Sequence, residues 1–198
     1  IKDLPQSWAD TNIKQLLSHT SGLPEIMSHD GKLISDKGEE ASWRLVKSLP
    51  INFEPNTQFQ YNNTNYLLLG KIINEVSGMY FEDFIIEYQL KKVNMQRTIE
   101  AGFSHTENVI SNQARNYTYY KTGKLTNLHE EFPKYLRTVA GMSSNANEIA
   151  NWSISLQSGK LLNKSSLQKL WAPMALKNGE IVGFNQYLNG YALGWPVV

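Results

Sequence analysis

The sequence contains no cysteine among its 198 residues. Disulfide bonds and thiolate metal sites are therefore excluded, while the cellular compartment stays open, because exported and cytosolic proteins can both lack cysteine. An excess of charge of one sign is also absent, since 19 basic and 18 acidic residues leave a formal net charge of +1. This balance provides no electrostatic attraction for nucleic acid or for an anionic membrane surface, and we expect neither partner.

Long hydrophobic runs are missing as well. The longest candidate, Tyr66 to Ile73, is interrupted by Gly70 and Lys71, whereas a helix that crosses a bilayer needs roughly 20 apolar residues. No transmembrane segment is predicted. The chain opens at Ile1 with neither a start methionine nor a signal peptide, so we expect residues 1–198 to be an internal piece of a longer protein.

With 41% hydrophobic and 11% aromatic residues, the chain can bury a sizeable core as a single domain. The most informative stretch runs from Tyr61 to Gly70. It places a phenol and an amide two residues apart, before apolar residues that recur at helical spacing and end at Gly78. Asn63 is expected to cap this helix, and the side chains of Tyr61 and Asn63 are expected to lie at its mouth.

The remaining pattern predicts an α+β protein that is mostly helical, with short strands and a hairpin. The inward positions expected of the helix at Tyr61 are Leu68, Ile72 and Val76 with Leu69 and Ile73. A short helix capped by Thr11 or Asn12 is expected to carry Ile13, Leu16 and Leu17, and another is expected from Glu39 or Glu40 to Ser48 with Ala41, Leu45 and Val46 inward. Phe81, Phe84, Ile85 and Tyr88 repeat at three and four, which indicates an amphipathic helix with these side chains in the core. A helix is expected after Ser144 or Asn145 with Ile149, Trp152 and Leu156 inward, and one from Ser165, where Gln168 completes a capping box. Strands are expected over Ile51 to Phe53 and Gln58 to Tyr61 about a turn at Pro55 to Thr57, in a hairpin over Tyr117 to Leu128, and over Asn185 to Val198.

Five segments, taken in order, resemble a known family. They are Leu16 to Pro24, Phe53 to Tyr61, the Tyr61-Asn62-Asn63 motif with the helix after it, Ala140 to Trp152, and Tyr191 to Trp195. Together they resemble the class C β-lactamases, the related D-alanyl-D-alanine peptidases and the β-lactamase-fold esterases. The resemblance implies a bacterial serine hydrolase, of which this chain is the helical portion. The Asn62 between Tyr61 and Asn63, where a small residue is more usual, departs from the family pattern, as does Lys92-Val93, where a proline is frequent.

The reaction that the resemblance implies is attack by a serine on an amide or ester carbonyl, followed by hydrolysis of the acyl-enzyme. It uses a Ser-x-x-Lys pair, a Tyr-x-Asn motif and a later Lys-Thr-Gly-like element. Tyr61 then corresponds to the general base, and Asn63 to the substrate-binding amide. Because a free phenol titrates near pH ~10, the tyrosine needs neighbouring cations that favour its anion.

Two local matches to these motifs stand in the wrong order. Ser166 and Lys169 form a Ser-x-x-Lys pair, and Lys121-Thr122-Gly123 spells Lys-Thr-Gly. In the family the nucleophile precedes Tyr-x-Asn, and the Lys-Thr-Gly-like strand follows Tyr-x-Leu-Gly-Trp. We therefore expect the nucleophile before Ile1 and the third element after Val198, so that this chain alone is inactive. A free-standing hydrolase that uses Ser166 and Lys169 is an alternative.

Other site chemistry is weaker. The lone His19 lies at the end of a predicted helix, and we expect a hydrogen-bonded structural role for it. No metal site and no cofactor are predicted, because the four histidines, His19, His29, His105 and His129, lack metal-ligand spacing, and Glu130-Glu131 reads as a solvated pair.

Two functions therefore stay open for the parent protein. One is hydrolysis of a β-lactam, a D-amino-acid peptide or an ester, with a small-molecule or peptide substrate. The other is a non-catalytic binding module on the same scaffold that recognises peptidoglycan-like peptides or a protein partner. We expect an exported parent, in the periplasm or cell envelope, and self-association of this chain through exposed apolar faces.

Overall fold

The computed structural model describes residues 1–29, 32–33, 38–103, 109–120, 122–128 and 133–198. Short strands pair in antiparallel twos, Ser28–His29 with Lys32–Leu33, Tyr117–Thr118 with Thr126–Asn127, and Gly190–Tyr191 with Pro196–Val197. The α-helices are α1 (Ile13–Leu17), α2 (Glu39–Ser48), α3 (Asn63–Ser77), α4 (Phe81–Ile85), α5 (Gln96–Ala101), α6 (Ala146–Gln157) and α7 (Lys164–Trp171). The strands are β1 (Ser28–His29), β2 (Lys32–Leu33), β3 (Tyr117–Thr118), β4 (Thr126–Asn127), β5 (Gly190–Tyr191) and β6 (Pro196–Val197). The predicted helical fold class with short strands is confirmed.

Helix α3 is the element that carries the Tyr-x-Asn motif. Its predicted span is confirmed, and Gly78 ends it in the left-handed conformation at φ 69°. The expected cap was wrong, because the helix begins at Asn63 and the residue in the cap position is Asn62, whose side chain makes no capping bond. The predicted inward position of Val76 was also wrong, since that side chain is 83% exposed near the end of the helix.

The main core forms where α1, α2 and α3 meet the segments between them. Its buried residues are Trp8, Leu16, Leu23, Ile26, Val46, Leu67, Leu68 and Leu136. The predicted inward position of Val46 is confirmed, whereas Ala41 is exposed and Ser42 takes the buried position one residue later. Helix α1 is capped by Asn12, which forms a capping box with Gln15.

The helix predicted after Gly78 continues beyond its expected end. From α4 the chain passes through a π-helical turn at Ile86–Leu90 and a 3-10 turn at Lys91–Val93. Leu90, Val93 and Met95 form a second buried cluster. Tyr88 was predicted to face the core, but it is 47% exposed, because the π-helical turn shifts the side-chain register.

Helices α6 and α7 follow the predicted order, but the cap residue of α7 differs from the predicted one. Asn145, one of the two predicted caps of α6, accepts the backbone N–H of Glu148. For α7 the predicted capping box at Ser165 was wrong, because Asn163 is the cap and accepts the N–H of Ser166. Ile149 was predicted to point inward in α6 but is 43% exposed.

The strand predictions succeeded only in part. The hairpin at 117–128 is confirmed, with β3 paired to β4. The single strand expected over 185–198 is instead the short hairpin of β5 and β6, which turns through Gly194 at φ 88°. Residues 51–61 form no strand. Their turn at 55–57 is present, and their backbone bonds to residues 19–22 singly rather than as a ladder. Across the described ranges, no helix combines the length and apolar character that a bilayer crossing requires.

Candidate active site

Tyr61 lies at the junction between the extended segment and α3, with 51% of its surface exposed. The residues on either side of it are both bonded to His19. The N–H of Gln60 donates to the His19 carbonyl at 3.0 Å, and the N–H of Asn62 donates to Nδ1 of His19 at 3.1 Å. The backbone of Tyr61 is therefore held at two points while its ring faces outward.

The next two residues alternate between the interior and the surface. Asn62 is 2% exposed and donates from Nδ2 to the Leu23 carbonyl at 2.6 Å. The side chain of Asn63 is partly exposed, and its N–H donates to a carboxylate oxygen of Glu25 at 2.9 Å. A negative side chain at a helix N-terminus satisfies a free N–H and opposes the helix dipole. Glu25 was not predicted to be a functional residue. Its position as an acidic residue just after the Gly-Leu-Pro turn is a sequence signal by which it could have been found.

An aromatic cluster lies beneath and beside the Tyr61 ring. The imidazole of His19 is 4.3 Å from it, centroid to centroid, and the ring of Phe184 is 5.5 Å from it. Phe59, Tyr66 and Tyr191 complete the cluster through their contacts with His19. The sequence did not bring these residues together, because they come from three separated segments, at 19, 59–66 and 184–191.

The titratable groups that surround Tyr61 in this cluster, which are His19, Tyr66 and Tyr191, are neutral at about pH 7. Burial lowers the pKa of His19 to about 4. Burial and the nearby Tyr61 phenol raise the pKa of Tyr191 to about 12. Burial, with the neighbouring Tyr191 and Tyr61, also raises the pKa of Tyr66. The cluster therefore gives the Tyr61 ring an environment of low polarity. The cation that a tyrosine base requires is not part of this cluster.

The two other motif matches have local structural roles. Ser166 lies in the first turn of α7, and its described contact is the bond from its N–H to Asn163 at 2.9 Å, while Lys169 is exposed in the last turn. Thr122 bonds to Thr126 within the hairpin at 2.8 Å, and Gly123 adopts φ 70°. Lys121 lies outside the described residues.

The structure does not describe the remaining side chains that were considered from the sequence. His105, His129 and the Glu130-Glu131 pair lie outside the described residues, as does the side chain of His29. Within the ranges that the structure covers, no group of three or more His, Cys, Asp or Glu side chains is placed to hold a metal ion. The turn at 141–145 borders a separate cleft of about 700 Å³ with Arg97 and Glu100.

Comparisons with known proteins identify relatives of this arrangement. The profile of the family described as Beta-lactamase matches residues 2–198. A penicillin-binding protein of Bacillus subtilis strain 168 is 28% identical over 196 residues, which cover 92% of this chain and 42% of the relative. Protein flp of Staphylococcus aureus strain N315 is 28% identical over 184 residues, which cover 92% of this chain and 35% of the relative. The chain thus spans less than half the length of these curated relatives.

Solved structures share the fold. A D-stereospecific amidohydrolase from a Streptomyces species superposes with a TM-score of 0.73 at 19% identity, over 92% of this chain and 55% of that one. A penicillin binding protein from Bacillus halodurans gives a TM-score of 0.69 at 23% identity, over 96% of this chain and 57% of that one. Because the family profile covers almost the whole sequence, this chain belongs to the family described as Beta-lactamase.

Proposed function

We propose that this chain is the substrate-binding, mostly helical part of a serine hydrolase in which Tyr61 acts as general base and Asn63 holds the substrate. The observation that carries the proposal is the placement of Tyr61, whose ring is half exposed at the mouth of α3 while its flanking backbone is held by two bonds to His19. A side chain that is accessible and at the same time anchored suits a group that must meet a reacting atom.

In the proposed reaction, the phenol oxygen of Tyr61 accepts each transferred proton and then returns it. The Tyr61 phenolate takes the proton of the serine hydroxyl as the serine oxygen forms a bond to the carbonyl carbon of the substrate. As the tetrahedral intermediate collapses, the bond to the leaving nitrogen or oxygen breaks, and the phenol returns the proton to that leaving atom. Water then attacks the acyl-enzyme and gives its proton to the same phenolate. As the bond between the serine oxygen and the acyl carbon breaks, the phenol returns that proton to the serine oxygen, which restores the serine hydroxyl and the phenolate.

The position of Asn63 suits a substrate ligand. Its N–H is already bonded to Glu25, while its side chain is partly exposed in the first turn of α3. An amide offers both a donor and an acceptor, so it can bond to a substrate amide or carboxylate without adding charge. Tyr61 and Asn63 would then contact opposite ends of the scissile group.

The serine and the cations are proposed to come from segments outside these 198 residues. Ser166 and Lys169 follow Tyr61 in the chain, opposite to the family order, and the contact described for Ser166 lies within α7. A tyrosine whose neighbours are neutral requires an added positive charge before it can ionise near neutrality. We therefore propose that the isolated chain does not turn over substrate.

The substrate class is proposed to be an acyl donor with a D-configured residue or a β-lactam, with an ester as the alternative. Support comes from relatives that are penicillin-binding proteins and from fold neighbours that are a D-stereospecific amidohydrolase and a D-amino acid amidase. Both of these fold neighbours are named for the hydrolysis of an amide.

The test uses the protein expressed from its full reading frame, with a D-alanyl-D-alanine peptide, a penicillin and a short ester as substrates. Tyr61→Phe is expected to lower kcat by about 10²- to 10⁴-fold, because it removes the proton acceptor and leaves the ring. Tyr80→Phe, at an exposed tyrosine just before α4, is the matched control and should leave kcat unchanged. Equal kcat in the Tyr61→Phe variant and the parent would overturn the role of Tyr61.

A covalent probe tests the placement of the nucleophile. A fluorophosphonate or a penicillin should add to the full-length protein and not to the folded 198-residue chain, as read by intact mass. An adduct that maps to Ser166 would replace this proposal with a free-standing hydrolase. Binding of the D-alanyl-D-alanine peptide without turnover or adduct in the full-length protein would replace it with a binding module.

A further inference from the structure

His19 contacts both sides of Tyr61 although 42 positions separate the two residues in the sequence. It stands just after α1 with φ 58°, and its side chain is 1% exposed. Its carbonyl accepts the N–H of Gln60, and its Nδ1 accepts the N–H of Asn62. A single residue therefore orients the peptide units on either side of Tyr61.

The same side chain supports the phenol ring directly. The imidazole lies 4.3 Å from the Tyr61 ring at an interplanar angle of 36°, and it stacks on Tyr66 at 5.1 Å and 27°. Tyr66 in turn donates from its hydroxyl to the Leu17 carbonyl at 3.3 Å. Tyr61 therefore packs on the imidazole of His19, which cannot move without breaking buried contacts.

The hydrogen bonds determine which ring nitrogen carries the proton. The N–H of Asn62 points at Nδ1, and Nδ2 of Asn65 lies 3.3 Å from the same atom, so Nδ1 presents its lone pair. The proton is therefore on Nε2, which is buried and has no hydrogen-bond partner within the part of the chain that the structure describes. A buried donor without a partner is costly, so packing alone would be better served by an apolar ring at this position.

We propose that His19 is a positioning residue that sets the direction of the Tyr61 phenol through the bond that its Nδ1 accepts from the N–H of Asn62. The inference rests on the proposed function, since it assigns His19 a role in the proton exchange that Tyr61 performs. His19 does not touch the substrate in this role. It acts by holding the phenol oxygen in line with the serine hydroxyl, where small misplacements have large effects on rate.

Two substitutions separate the hydrogen bond of His19 from its ring contact with Tyr61. His19→Phe keeps an aromatic ring under Tyr61 but removes the acceptor for the buried N–H of Asn62. His19→Asn keeps an acceptor, because Oδ1 of asparagine takes the place of Nδ1, and asparagine tolerates the positive φ of this site. Both variants are made in the full-length protein, and circular dichroism with a thermal melt establishes that each folds.

The expected kinetic result is a fall in kcat with little change in KM. His19→Phe should lower kcat by about 10- to 100-fold while KM stays within about twofold, since a shifted phenol slows proton transfer without altering substrate binding. His19→Asn should retain kcat within about threefold. A folded His19→Phe variant with the parent kcat overturns the inference, and so does a His19→Asn variant as slow as His19→Phe.

A spectroscopic measurement keeps the inference testable if His19→Phe does not fold. The ring nitrogen shifts of His19 in the folded protein should place the proton on Nε2, and the N–H of Asn62 should exchange with deuterium faster in His19→Phe, or in a fallback His19→Ala variant, than in the parent or in His19→Asn. A proton on Nδ1, or equal exchange rates at Asn62 in all of these proteins, overturns the inference. The failure of the proposed function is distinct, because Tyr61→Phe would then keep its kcat whatever the exchange rate at Asn62 is.

Discussion

The carboxylate of Glu148 lies 2.5 Å from the hydroxyl of Thr98 and 2.8 Å from its backbone nitrogen, and it also accepts the N–H of Arg97 at 2.9 Å. The residue in the cap position of α5, Met95, makes no side-chain capping bond. Glu148, in the first turn of α6, therefore caps a helix that lies about 50 positions earlier in the chain.

Substitution of Glu148 should destabilise the protein through α5. Glu148→Ala leaves buried donors unsatisfied and is expected to cost about 2–3 kcal/mol, and Glu148→Gln, which keeps one acceptor oxygen, about 1–2 kcal/mol. Urea unfolding measures both. Glu87→Gln, which removes an exposed ion pair to Lys91, is the matched control and should change stability by less than about 1 kcal/mol. Equal effects at Glu148 and Glu87 would show that the cap contributes nothing.

The Glu148 cap also has a pH signature. Burial raises the pKa of this carboxyl, but the bonds from Thr98 and Arg97 outweigh it, so the pKa lies below its usual 4.5. The stabilisation is therefore present above that value and is lost as pH falls through the lower, folded-state pKa. Unfolding of the parent and of Glu148→Gln should converge in acid, and a constant difference between them at every pH would contradict this.

His19 gives stability the same dependence on pH in a higher window. Its pKa falls from 6.5 to about 4 on burial, so below 6.5 the unfolded chain takes up a proton that the native chain does not, and stability falls toward pH 4 by on the order of 3 kcal/mol. The phenols of Tyr61, Tyr66 and Tyr191 face it, and burial raises the pKa values of Tyr66 and Tyr191, so neither of these two changes charge in this window.

The measurement compares urea unfolding of the parent and of His19→Asn across this acid window. The parent should lose more stability than the variant, because asparagine has no proton to gain. Parallel curves for the two proteins would mean that His19 is charged in the native state or reaches solvent.

Gly70 is the position in α3 where a side chain does not fit. A Cβ there would lie 2.1 Å from Cγ2 and 2.9 Å from Cβ of Thr138. Gly70→Ala should therefore destabilise the protein by about 1–3 kcal/mol despite the higher helix propensity of alanine. The double variant Gly70→Ala/Thr138→Ala should recover part of that loss in thermal melts. If the effects of the two changes on stability were additive, α3 and Thr138 would be able to move apart and the predicted clash would be absent.

Self-association of the 198-residue chain is a further expectation. Apolar side chains of α6 stand in solvent, with Ile154 64% and Ile149 43% exposed. Exposed apolar faces favour association, so light scattering should show mass above that of a monomer, rising with concentration. Ile154→Lys should reduce it, with Ser153→Lys on the same helix as the control. A monodisperse monomer at high concentration would contradict the expectation.

The sequence predicted those features that neighbouring residues encode. Helical spacing and Gly78 located α3, Asn12 and Asn145 were each one of two residues considered as a cap, and the hairpin about Gly123 was recognised from its turn residues. Each of these signals acts within a few positions of the chain. That α5 is a separate helix was missed, because its cap comes from Glu148 on another helix.

The errors have separate physical causes. Val76 and Ile149 have the helical spacing of core residues, yet the core in contact with α3 and α6 is narrower than the apolar stripe of either helix. Asn163 displaced Ser165 as the cap of α7, because both can bond a helix N–H and the chain enters the helix two residues earlier. Residues 51–61 alternate like a strand but lack a continuous partner strand.

By itself, the sequence determined the family, the helical class and the candidate pair Tyr61 and Asn63, since these depend on residue identity and short spacing. Tertiary structure decided which groups surround the phenol. His19 reaches Tyr61, and Glu25 reaches the N-terminus of α3, from segments about 40 positions away. Such contacts depend on how the helices pack, because burial and hydrogen bonding between distant segments are settled only when the whole core forms.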